Sequence, residues 1–248
     1  MKKTTQGFTL VELLVVIGIL GILMGSLFPA ISSTMLKANT STMAQKGRKI
    51  FVAITEANTE REGQQMASVW PKSAKDKDED TEDIAGMDFS DSAKYFEELF
   101  DVKNYGTKDC QPYVKGLDLS ILSGGGVPTA GGNVKSLEGK YVAWSVLKGL
   151  RDEMEEIIPV LVTRNCAVST LPVSSDFDGK AKTEVGVGSD KGGEADTPFG
   201  NKAFVIVRKG GSAEVIDAKY SKLYQVYKNT PFSVPSDATL EYLKTGGK

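Results

Sequence analysis

Histidine is absent from the sequence, and cysteine and tryptophan occur only twice each. Without an imidazole there is no Ser-His-Asp or Cys-His nucleophile arrangement, and the commonest transition-metal ligand is missing. The two cysteines, Cys110 and Cys166, lie too far apart in sequence for a C-x-x-C redox or zinc motif. If the segment that holds them is exported to an oxidising compartment, they are placed for a disulfide; the alternative is a pair of buried, unlinked thiols. A basic excess is lacking too: 30 Lys and Arg against 32 Asp and Glu leave a net charge of -2. That balance gives no electrostatic footprint for nucleic acid, which is therefore not expected as a partner.

What is present is a long apolar run. Leu13 to Ile31, nineteen residues, contains no charge. At about 1.5 Å rise per helical residue it matches the hydrocarbon thickness of a bilayer. A secretory signal has a shorter apolar centre, about 7 to 15 residues, and a small-residue cleavage site behind it; the stretch after Leu27, FPAISSTM, does not supply one. Glu12 stands at the start of the run. A carboxylate near the hydrocarbon region is disfavoured by roughly 2.5 to 3.5 kcal/mol unless it is interfacial or has a partner. Charge counting does not orient the span, because Lys37, Lys46, Arg48 and Lys49 follow it and no acid occurs between Glu12 and Glu56. These later basic residues are read as a solvated helix face, the alternatives being contact with lipid headgroups or with acidic surfaces of neighbouring subunits.

Lys2 and Lys3, then Gly7, Phe8, Thr9, Leu10, Val11 and Glu12, then an unbroken apolar helix, resemble the prepilin-type leader of type IV pilins and type II secretion pseudopilins. The resemblance covers about Lys2 to Ser32. It implies cleavage after Gly7 by prepilin peptidase on the cytoplasmic side, with methylation of the new N-terminal residue, Phe8. It also implies that Glu12 is the family's assembly glutamate and Pro29 its helix-bending proline. The N-terminus is then cytoplasmic and the C-terminal domain periplasmic, with a single pass through a bacterial inner membrane. The implied partners are membrane lipid, an inner-membrane assembly platform, other copies of the chain and minor pseudopilins.

Beyond the span no strong breaker occurs from Ser32 to Glu62, and Met43, Gly47, Ile50, Ile54 and Ala57 recur at steps of four, three, four and three. This predicts one long helix from Phe8 to about Glu62, apolar all round and then amphipathic, closed by Gly63, with its stripe on a sheet. Pro29 predicts a kink or local melt. Gly18, Gly21 and Gly25 include a G-x-x-x-G pair that lets helices approach closely. The charged stretch KSAKDKDEDTED, Lys72 to Asp83, reads as loop. Tyr95, Phe96, Leu99 and Phe100 share one helical face, and Leu147, Leu150, Met154 and Ile157 predict a second packing helix. PVLVTRN reads as a buried strand, and AFVIVRKGGSAEVID as a hairpin turning at Lys209 to Ser212. The expectation is an α+β, pilin-like fold: a long N-terminal helix with a transmembrane first half, packed on a C-terminal antiparallel sheet. Its parts are a leader (1–7), a transmembrane half-helix (8–31), an amphipathic half-helix (32–62), a linker (63–83) and a globular domain (84–248).

The stretch TPFGNKAFVIVRKGGSAEVI also resembles the P-W/F-G-N and strand pattern of major pseudopilin C-terminal regions, departing from it at Phe199, where tryptophan is usual. Glycines at 124–126 and 131–132 do not make a phosphate cradle, since the one Gly-Lys pair, Gly139 and Lys140, is followed by Tyr141. Asp176, Asp178 and Asp190 lie in a glycine-containing loop with Glu194 and Asp196. These are hard oxygen donors but lack EF-hand spacing, so solvated turn acids are the default reading. Calcium enters because some major pseudopilins hold it in the equivalent loop; no other cofactor is expected. Glu153, Glu155 and Glu156 read as an exposed acidic turn. The expected function is a non-enzymatic, filament-forming subunit of a type II secretion system. The alternatives are a type IV or competence pilin and, from another class, a membrane-tethered periplasmic enzyme or binding module.

Overall fold

In the computed structural model the described residues are 9–71, 90–166, 198–200, 202–217 and 240–243. By internal contacts the chain divides into a first unit, Met1–Asn39, and a second, Thr40–Lys248. Helix α1, Leu10–Glu62, begins in the first unit and ends in the second. It runs without interruption through Pro29. From Leu10 to Phe28 its apolar side chains are exposed all round. In the second it turns amphipathic, and the predicted stripe Met43, Gly47, Ile50, Ile54 and Ala57 is buried throughout.

The stripe lies on an antiparallel sheet. Its strands are β1 Trp144–Lys148, β2 Pro159–Thr163, β3 Ala203–Arg208, β4 Ala213–Asp217 and β5 Glu241–Tyr242, in the order β4-β3-β2-β1-β5. Runs such as PVLVT and AFVIVR, rich in β-branched residues, are buried on both faces, which marks them as interior strands. β3 and β4 form the predicted hairpin. Gly211 N–H donates to the Arg208 carbonyl and Arg208 N–H to that of Ser212, a three-residue connection with the left-handed residue supplied by Gly211 at φ 78°.

Helix α2, Ser92–Leu99, starts where the Asp91 carboxylate accepts from Lys94 N–H at 2.8 Å, and it buries Tyr95, Phe96 and Leu99. Buried Ser92 fastens it, accepting from Val146 N–H of β1 and donating to the Leu243 carbonyl beside β5. The second predicted helix does not form. Leu147 belongs to β1, Gly149 adopts φ 86°, and Leu150, Met154 and Ile157 fall in the turn before β2. Leu147 and Met154 are nonetheless buried, so the apolar residues were a core signal without a helical one. Within the span expected as linker, Ala67, Val69, Trp70 and Pro71 are buried, whereas Lys72–Asp83 lies outside the described residues.

Candidate functional site: the N-terminal helix

The first turn of α1 is closed by a reciprocal side-chain box. Thr9 precedes the first helical residue, and its N–H and hydroxyl donate to Glu12 Oε2 at 2.8 and 2.7 Å, while Glu12 N–H donates to Thr9 Oγ1 at 3.3 Å. Two backbone donors that the helix leaves unsatisfied are thus met, and the carboxylate stands at the positive end of the helix dipole. The signal was legible as T-x-x-E ahead of an apolar run, although the sequence reading assigned Glu12 only an assembly role. Among the described residues no hydrogen-bond donor reaches Glu12 Oε1.

Past the box the surface is apolar on every side. Leu10 and Ile22 are 79% and 77% exposed, and the residues between and beyond them as far as Ile31 are uncharged apart from Glu12. This stretch is long and apolar enough to cross a membrane. A side chain added at Gly18, Gly21 or Gly25 would meet nothing within 4 Å, so this glycine-bearing face is open to another helix.

The basic residues that follow are not all solvated. Lys46 Nζ donates to the carbonyls of Ser120 at 2.6 Å and Ser123 at 2.8 Å, tying α1 to the short 3₁₀ helix Leu119–Leu122. Burial lowers its pKa, against the raising effect of the neighbouring Asp118 carboxylate. Asp118 caps that 3₁₀ helix, and its hydrogen bonds with Ser120 hold its carboxyl below the ordinary value. Arg48 and Lys49 remain exposed.

Of the other expected site residues, Gly7, Phe8, Asp176, Asp178 and Asp190 lie outside the described residues. Cys110 and Cys166, considered for a disulfide, are separate free thiols, both half-buried. Cys110 Sγ instead lies 3.9 and 4.0 Å from the carbonyl oxygens of Asp101 and Phe100. The sequence reading missed Asn165. Buried beside Cys166, it accepts from the Thr163 hydroxyl at 2.7 Å and donates to the carbonyls of Gly200 and Ala203 at 3.0 and 2.7 Å, joining the end of β2 to the start of β3. The Pro198–Gly200 turn packs on the other glycine-rich turn: Phe199 N–H donates to the Gly125 carbonyl at 2.9 Å.

Residues 2–28 match the family described as the prokaryotic N-terminal methylation motif. Its N-terminal segment carries the prepilin-type cleavage and methylation motif. No curated protein and no solved structure matches the chain. A prepilin-type N-terminus indicates a precursor of the pilin and pseudopilin kind, a structural class processed by prepilin peptidase and assembled with pilin-like subunits. The apolar helix fits membrane anchoring, and the long helix with its five-stranded antiparallel sheet is an α+β, pilin-like arrangement.

Proposed function

We propose that this chain is a filament subunit of a type II secretion system, a pseudopilin held in a bacterial inner membrane by the first half of α1. The N-terminus faces the cytoplasm and the second unit the periplasm. One observation carries the reading: the first half of α1 is apolar on all sides, and its single carboxylate stands in the first turn, inside the methylation motif. Cleavage after Gly7 removes Lys2 and Lys3, two charges that resist transfer through the apolar phase, so the helix becomes extractable into a fibre core. The preference for a pseudopilin over a type IV or competence pilin leans on the P-F-G-N and hairpin sequence.

Glu12 has two compatible tasks in this reading. Oε2 serves the box with Thr9, and Oε1 is left for the α-amine that cleavage creates on Phe8, either its own or that of an adjacent subunit. In a low-dielectric helix core an unpaired carboxylate is costly, so a subunit docked at the wrong height is rejected. Glu12→Val is therefore expected to be inserted and cleaved normally yet to form no fibre, measured by sheared-filament yield with the mature N-terminus checked by intact mass. Thr9→Val breaks the box but keeps the charge and is expected to assemble. An uncut, unmethylated chain in a host with a working prepilin peptidase would overturn the reading. Normal fibres from cleaved Glu12→Val would remove the register role alone.

A further inference from the structure

Two surfaces of the second unit are complementary in charge. Along α1 a cleft of about 390 Å³ is lined by Arg48, Lys49, Val52, Glu56, Lys115 and Leu117. Lys115 is tied to Glu60 at 2.7 Å. Arg48 and Lys49 are exposed, and no acid pairs with either among the described residues. With Glu56 as its one carboxylate, the cleft is a cationic groove with an apolar lining, and Val52 beside it is 42% exposed.

The turn between β1 and β2 presents exposed Asp152, Glu153, Glu155 and Glu156, with Arg151 Nη1 3.6 Å from Glu153 Oε1. This acidic turn is firmly seated. Met154 is buried, Lys209 Nζ donates to the carbonyls of Asp152 and Met154, and buried Arg208 donates to the Ile157 carbonyl at 2.8 Å. Its place relative to α1 follows from two close approaches. A Cβ on Gly210 would lie 3.1 Å from Glu156 Cβ, and one on Gly211 would lie 3.3 Å from Phe51 Cε1. The acidic turn therefore approaches α1 beside Phe51, whereas the cleft residues Arg48, Val52, Glu56 and Lys49 lie about 60° to 160° round the helix from it, so the two are different surfaces.

We propose that the acidic turn at 152–156 of one copy docks in the Arg48, Lys49 and Lys115 cleft of the next. The occupant is a second copy because the chain itself carries the matching charge, while like surfaces meeting face to face would repel. A contact between two different surfaces is heterologous, and where the rotation does not close it propagates as a helical filament. The inference rests on the filament reading above and adds a contact made by the second unit.

Full-length protein is tested in cells that carry the assembly machinery. Arg48→Glu with Lys49→Glu is expected to lower sheared-filament yield at least about tenfold, and Glu153→Lys with Glu155→Lys to do the same. All four reversals on one chain restore complementarity and are expected to recover most of the yield. Arg48→Gln with Lys49→Gln, which introduces no repulsion, is expected to give an intermediate loss and keeps the test valid if a reversal misfolds. Normal filaments from either reversed pair would overturn the docking while leaving the filament reading intact. Loss from the cleft reversal alone would assign the cleft to another acidic partner and equally overturn it. Absence of filaments from the unaltered chain would remove the filament reading and this contact with it.

Discussion

Gly47 lies where α1 crosses β1 and β3, and two opposing effects meet there. As an interior helical residue it is about 1 kcal/mol worse than alanine. A Cβ at this position would run into the ring of Trp144 and lie 2.7 Å from Val207 Cγ2. Both neighbours are fully buried, so neither can swing aside. Overpacking of this kind costs about 1 to 3 kcal/mol, sometimes more, so the clash outweighs the propensity. Gly47→Ala is accordingly expected to lower the melting temperature despite being the better helix former, and a thermal melt that rises would show that α1 is not pressed on the sheet here. The stripe containing Gly47 was legible from its spacing. That its glycine marks a backbone-to-ring approach was not, because the partner is far away in sequence.

At the scale of elements, the end of α1 shows how local rules decide a boundary while leaving the capping residue open. The helix was expected to close at Gly63 and does stop at Glu62, but Gly63 is not the left-handed residue. Gln65 is, at φ 59°. Its N–H donates to the Glu62 carbonyl at 3.0 Å and Met66 N–H to that of Arg61 at 2.9 Å, the paired bonds of a Schellman ending. A non-glycine residue in this conformation is held at a cost of roughly 1 kcal/mol. Gln65→Gly is therefore expected to stabilise the second unit, by up to about 1 kcal/mol once the greater freedom of the unfolded chain is set against it. A denaturant midpoint that falls would place the end of the helix elsewhere. Strands β2, β3 and β4 and their hairpin were read from sequence because each is a dense β-branched run bounded by turn residues. The turn after β1 was misread because four apolar residues at helical spacing also fit a strand end and a plugged loop. The box at Thr9 and Glu12 was legible but eclipsed by the resemblance.

At the scale of the molecule, the division between Asn39 and Thr40 separates two solvent preferences carried by one helix. From Leu10 to Phe28 every large apolar side chain of α1 is exposed, and the stripe that begins at Thr40 and Met43 is buried on the sheet. A chain that starts at Thr40 keeps the whole stripe and loses the exposed apolar half of α1. It is expected to stay soluble without detergent and to unfold in one cooperative transition. A chain that starts at Gly63 loses Met43, Ile50 and Ile54, all at most 1% exposed, and uncovers Trp144 and Val207. At about 1.5 to 3 kcal/mol for each large side chain, that loss is comparable with the roughly 5 to 15 kcal/mol by which a domain is stable at all. The shorter chain is expected to aggregate or to melt without a cooperative transition. Size-exclusion chromatography and circular-dichroism melts in detergent-free buffer distinguish the two. A Thr40 chain that needs detergent, or a Gly63 chain that melts as sharply and at the same temperature, would mean that the second half of α1 is not part of the domain it covers.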